Sequence, residues 1–124
     1  MRVLMNNAFS RFARKAKLTD AVICNAIAIA ESGLIDAHLG GGVIKQRIAR
    51  PGEGKSGGIR ALIAYRKGVR AVFVYGFTKN DKANIAPFEL IALKELAAEL
   101  LGYDEGTINK IIVAKALTEV VCDA

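Results

Sequence analysis

The chain has 124 residues, enough for one domain that buries a core without disulfide or metal staples. Hydrophobic residues make up 52% and charged residues 24%, which excludes intrinsic disorder. Two cysteines, Cys24 and Cys122, and one histidine, His38, exclude a disulfide scaffold, a cysteine zinc site and histidine-pair chemistry.

The net charge of +6 is unevenly spread. Residues 1–17 carry +5, 18–44 carry −3, 45–82 carry +8 and 83–124 carry −4. A concentrated cationic middle points to a polyanion partner, most often nucleic acid. An idle basic surface is the bland alternative. No apolar run approaches the ~20 residues of a membrane span. The first residues lack the apolar stretch of a signal peptide, so a cytoplasmic location is expected. Both cysteines lie in apolar runs and are expected to pack as unpaired thiols.

In chain order, Phe9 and Phe12 with Arg11, Arg14, Lys15 and Lys17 predict a short basic amphipathic helix over 7–17. Thr19 is the expected N-cap of a second helix, in which Val22, Ile23, Ala26, Ile27 and Ala30 recur at helical spacing before Gly33. Gly40-Gly41-Gly42 breaks the chain. Residues 43–49 predict a strand, ended by Pro51, and 52–58 a glycine-rich loop. Ile59 to Arg66 and Val69 to Phe77 predict two strands rich in β-branched and aromatic residues. A two-residue turn at Lys67-Gly68 joins them. That register sets Arg60 against Tyr75 and places Arg60, Leu62 and Ala64 on one face with Phe73 and Tyr75.

Pro87 and Gly102 bracket a helix whose apolar stripe is Leu90, Leu93, Leu96, Ala97 and Leu100. Thr107 is the expected cap of a further helix through Ala116, and 117–122 fit a helical continuation or a strand. The predicted class is α+β: a small antiparallel sheet with two N-terminal helices and a C-terminal helix, all on one side. No linker or repeat divides residues 1–124, so one domain is expected. Its parts are a helical pair over 7–33, a sheet over 43–78, and a C-terminal helix and tail over 87–124.

Gly54-Lys55-Ser56 echoes a nucleotide-binding phosphate loop, but Ala49 stands where that pattern needs glycine, and the loop opens a strand rather than a helix. The glycines can still offer backbone N–H groups to a sugar–phosphate chain, with Lys55 and Arg50 adding charge. A solvated connection is the bland reading. Arg60, on an apolar strand face, must pair, reach the sheet edge or line a cleft. Its fork suits phosphate oxygens, and Glu53 is the alternative partner. His38 has no oriented nucleophile beside it, and Glu89, Glu95 and Glu99 read as a solvated helix face.

Three stretches then carry a resemblance: Gly33 to Lys45, Arg50 to Arg60, and Phe73 to Asn80. They are similar to the RelE/HigB-like toxins of bacterial type II toxin–antitoxin pairs, over residues 8–102 or so, and Phe9 to Thr19 fits the same family. The resemblance implies a RelE-like fold and a metal-independent mRNA endonuclease that needs no cofactor. It implies attack of the RNA 2′-hydroxyl on the adjacent phosphate, usually on the ribosome, and silencing by a cognate antitoxin. By position it assigns catalysis to Arg60, Lys55 and Lys79, the last where relatives often carry arginine. RNA contacts fall to Arg50, Lys45, Arg47, Tyr75 and Lys82.

Some relatives stack a tyrosine on a base just beyond Lys79. Here that stretch is Asp81-Lys82-Ala83-Asn84-Ile85, which leaves the stacking role and the general base without a matching residue. Tyr75 and Phe77 are the nearby aromatic candidates, although core packing is the expected job for each. Two other functions are weighed: a non-catalytic nucleic-acid- or protein-binding module retaining the toxin fold, and a gyrase inhibitor like some fold relatives. The glycine-loop pattern fits the RNA-cutting branch better than the gyrase inhibitors.

Overall fold

The computed structural model describes residues 1–49, 58–79 and 85–122. Its elements are β1 (Arg2–Asn6), α1 (Asn7–Lys15), α2 (Asp20–Glu31), β2 (Ala37–Gly40), β3 (Val43–Ile48), β4 (Ile59–Arg66), β5 (Arg70–Thr78), α3 (Pro87–Gly102), α4 (Glu105–Val113) and β6 (Leu117–Val120). Among the described residues six strands form one sheet in the order β2-β3-β4-β5-β1-β6. β1 and β5 run parallel and every other neighbouring pair is antiparallel. The class is α+β, as the sequence predicts.

Local chemistry sets the helix boundaries. Asn6 caps α1, its Oδ1 accepting from the Phe9 N–H at 2.8 Å, while its Nδ2 donates to the Val74 carbonyl at 3.1 Å. Phe9 and Ala13, one turn apart, are buried, and Arg11, Arg14 and Lys15 face solvent. Thr19 caps α2 as expected, accepting from the Val22 N–H at 3.2 Å. Pro87 opens α3 and Gly102 ends it, again as expected. α4 is capped by Asp104 rather than Thr107, whose own N–H donates to Asp104 Oδ1 at 2.7 Å.

The sheet has a core on each face. α1 and α2 cover one, where Phe9, Ile23 and Ile27 meet Ile44, Ile59, Ile63 and Phe73. α3 and α4 cover the other, where Ala97, Leu100 and Ile108 meet Leu4, Val43, Leu62, Ala64 and Val72. The expectation of helices on one side is therefore corrected. A strand buried on both faces shows continuous apolar residues rather than alternation, as β4 does from Ala61 to Ala64. The close approach of α1 to the sheet is set at Gly76: a Cβ there would lie 2.3 Å from the Phe12 ring.

Two strands were not foreseen. β1 carries Val3-Leu4-Met5, buried on both faces, and lies fifth in the sheet. β2 is a short edge strand that turns into β3 through Gly40, Gly41 and Gly42, all at positive φ (85°, 63° and 82°). The open choice at 117–122 resolves to β6 over Leu117–Val120.

The hairpin register also differs from the expectation. Arg66 pairs with Arg70, leaving a three-residue connection with Gly68 at φ 72°. A bulge opposite Leu62 and Ile63 adds Val74, so Arg60 faces Phe77 instead of Tyr75. Phe73 consequently packs on the α1–α2 face, away from Arg60.

Cys24 and Cys122 are not free thiols. They form a disulfide, with Cα atoms 5.6 Å apart, between α2 and the residues after β6. Their separation of 98 residues hid the pairing, since each looks like one more apolar residue in its own run.

Candidate functional site

The cationic segment splits into two groups with different jobs. At the hairpin end, Arg70 is 3% exposed, and its Nη1 donates to the carbonyls of Leu100 at 2.7 Å and Tyr103 at 2.8 Å. Its Nη2 donates to Glu105 at 3.1 Å. Arg66 donates to the Leu101 carbonyl at 2.9 Å. These two arginines satisfy carbonyls at the C-terminus of α3 and oppose its dipole. Arg2 joins them by donating to Glu105 at 2.8 Å and to Glu119 at 2.9 Å. The paired arginines pull the Glu105 carboxyl below its ordinary range.

At the other end of the same face the charges are arranged differently. β3 places Lys45 opposite Leu62 and Arg47 opposite Arg60, and β5 places Tyr75 opposite Leu62 and Phe77 opposite Arg60. Directly paired residues project to one face. Lys45, Arg47, Arg60, Tyr75 and Phe77 thus form two adjacent rows on the face shared with α3. The Tyr75 and Phe77 ring centroids are 6.0 Å apart. Arg60 is half-buried, and its Nη1 donates to the Ile59 carbonyl at 3.3 Å. Asp36 Oδ2 accepts from the Arg47 backbone N–H at 2.5 Å. Among the described residues, neither the Arg47 nor the Arg60 side chain forms an ion pair; those pairs belong to Arg2 and Arg70 at the hairpin end.

Lys79 follows β5 at this end and is exposed, and its backbone N–H donates to the Gly58 carbonyl at 2.6 Å, just before β4 begins. Of the residues assigned from sequence, the structure brings Lys45, Arg47, Arg60 and Tyr75 together and sets Lys79 at the end of their strands. Lys55, Arg50 and Lys82 lie outside the described residues, as does Glu53, the alternative partner of Arg60.

Sequence reasoning missed the cross-strand pairing of Arg47 with Arg60. The signal was present as two cations two positions apart on β3, Lys45 and Arg47, on either side of the buried Gln46, but the register that aims them at Arg60 depends on β3–β4 pairing. His38 is exposed, and Glu95 and Glu99 face solvent, as expected. Glu89 instead accepts from the Ala86 N–H at 3.2 Å at the head of α3. Among the described residues no group of three or more His, Cys, Asp and Glu side chains converges.

Phe77 is buried in the core on this face, as expected of it, and Tyr75 is half-buried beside it. Such a face can hold an extended polyanion through its guanidinium forks, which match phosphate oxygens. The family model that matches the chain is that of the RelE toxin of the RelE/RelB toxin–antitoxin system, and it matches residues 1–120. The chain belongs to the RelE toxin family. It is thus a toxin of a toxin–antitoxin pair, and its partner is a RelB-type antitoxin. A search of curated proteins returns no match. The match to the RelE family extends the resemblance read from residues 8–102 to both ends of the chain, taking in β1 and β6.

Proposed function

We propose that this RelE-family toxin is an mRNA endonuclease that acts on ribosome-bound message in the cytoplasm and needs no metal ion. The observation that carries the proposal is the juxtaposition of Arg47 and Arg60 on neighbouring strands, with neither side chain in an ion pair among the described residues. Two guanidinium groups on one face suit a phosphodiester, whose non-bridging oxygens accept paired N–H donors.

In this reading the 2′-hydroxyl of one nucleotide gives up its proton and attacks the adjacent phosphorus. The bond to the 5′-oxygen of the next nucleotide breaks, leaving a 2′,3′-cyclic phosphate and a 5′-hydroxyl. Arg60, with Lys55 and Lys79, offsets the charge that grows on the phosphate oxygens. Arg47, Lys45, Arg50 and Lys82 hold the flanking backbone, and Tyr75 offers a ring edge or face to a base. The chemistry asked of the protein in this reading is cationic, and Lys45, Arg47, Arg60 and Lys79 support it. The antitoxin silences the toxin by covering this face.

The test is induced expression of the toxin with and without its antitoxin, followed by mapping of transcript 5′ ends. The expected result is growth arrest and new 5′ ends within translated regions, both suppressed by the antitoxin. Arrest without new transcript ends would favour the non-catalytic binding module instead.

A further inference from the structure

The Cys24–Cys122 disulfide takes no part in the basic face. It joins the first half of α2 to the second residue beyond β6. Cys122 is exposed and Cys24 half-buried. Both border a surface groove of about 650 Å³, with Asp20, Asn25 and Val121 among its walls. The sulfurs are therefore open to attack by a small thiolate without unfolding of the chain.

The bond adds to the anchors that β6 already has. β6 is an edge strand of four residues, of which Leu117 and Val120 are buried and Thr118 and Glu119 exposed. It pairs with β1 from Val3 to Asn6, packs Val120 into one core and Leu117 into the other, and ties Glu119 to Arg2 through two hydrogen bonds of 2.9 Å. A short edge strand opens locally at lower cost than the central strands. A cross-link at the end of β6 that closes a loop across most of the chain restricts both fraying and the unfolded ensemble.

We propose that the Cys24–Cys122 disulfide is a reversible redox latch on β6, opened in the folded protein by a dithiol reductant, so that resistance to unfolding and proteolysis follows the thiol redox state. A thiolate of the reductant attacks Cys122 Sγ, forming a mixed disulfide and releasing the Cys24 thiolate, which takes up a proton. The second thiol of the reductant then closes on its own sulfur and releases the Cys122 thiolate, which is protonated in turn. Two electrons and two protons pass from the dithiol to the protein, and the reductant leaves as its disulfide. While β6 stays paired the tail remains beside α2, with the Val121 carbonyl 3.8 Å from Cys24 Sγ, so an oxidised dithiol can re-form the bond.

The readouts are thiols and stability, independent of the ribonuclease reading. The full chain, purified without reductant, is treated with dithiothreitol at neutral pH and then reoxidised. The expected result is no titratable thiol before treatment and one from each cysteine after it, with the circular dichroism of the folded state retained. The melting temperature should fall by about 10 °C on reduction and recover on reoxidation. Release of C-terminal residues by a carboxypeptidase should quicken several-fold. Cys122→Ser should match the reduced protein and ignore dithiothreitol; if that variant does not fold, the wild-type redox series decides alone. Free thiols in the air-oxidised folded chain would overturn the latch. So would reduction only at the rate of global unfolding, or equal melting temperatures in the two states.

Discussion

Arg47 on β3 and Arg60 on β4 stand directly opposite each other on the sheet face shared with α3. Like charges in that position oppose sheet pairing. A bound phosphate removes the repulsion, so the pairing that weakens the free protein favours the complex. Arg47→Glu should separate these effects. It replaces repulsion with a cross-strand ion pair, and we expect a gain of about 0.5 kcal/mol in unfolding free energy. RNA affinity should fall at least about tenfold. Urea unfolding and RNA binding of the same preparation check both signs; a less stable variant with unchanged RNA affinity would contradict the assignment.

Position matters more than charge if Arg60 acts through a directed fork. Arg60→Ala should fold normally and lose on the order of 100-fold or more in cleavage rate, and Arg60→Lys should recover little of it. Arg14→Ala combined with Lys15→Ala removes two charges from the exposed side of α1, on the opposite face of the sheet. That pair should retain most toxicity and reduce the salt dependence of binding. A toxic Arg60→Ala beside an inactive α1 variant would move the site off the hairpin.

Arg70 should behave in the opposite way. It is buried, with donors on the Leu100 and Tyr103 carbonyls and on Glu105. Truncating it leaves those carbonyls unpaired, so Arg70→Ala should cost about 3 kcal/mol by urea unfolding. Arg66→Ala, at an exposed position with one carbonyl contact, should cost about 1 kcal/mol. Equal costs for the two would contradict the larger share given to the buried Arg70 in holding the end of α3.

Acid should destabilise the fold in a window fixed by three carboxyls. Glu31 is held below its ordinary range by the Tyr65 hydroxyl and the Gly68 N–H. Asp104 is held down by the Thr107 N–H, and Glu105 by Arg2 and Arg70. A carboxyl whose pKa is lower in the folded chain binds fewer protons there than when unfolded, so stability rises with pH through that interval. Their contribution is complete above about pH 5 and is lost as pH falls below about 4. The urea midpoint should stay level from neutrality to about pH 5 and then drop, and Glu105→Gln should shrink the drop. A midpoint that climbs on acidification would reverse the sign.

How much of this was legible in the sequence depended on the range of each interaction. α3 from Pro87 to Gly102, the Thr19 cap and the span of β4 rest on local signals and match the structure. β1 did not, because Val3-Leu4-Met5 gains its strand identity from β5 and β6 on either side. The hairpin register turned on a bulge at Val74 that no local pattern marks. Arg60 was readable as an arginine on an apolar strand; its partner Arg47 was not, since it depends on how β3 meets β4. The disulfide joins residues from distant apolar runs and leaves no local trace.

The central claim is tested most directly by the chemistry of the cut ends. Purified toxin is added to ribosomes translating a defined message, with and without EDTA compensated to keep the ribosomes intact, and the fragments are probed for their termini. Attack by the 2′-hydroxyl under cationic stabilisation should give 5′-hydroxyl and 2′,3′-cyclic phosphate ends, unchanged by EDTA and absent with Arg60→Ala. Fragments bearing 5′-phosphate, a strict need for added manganese, or undiminished cleavage by Arg60→Ala would contradict the account.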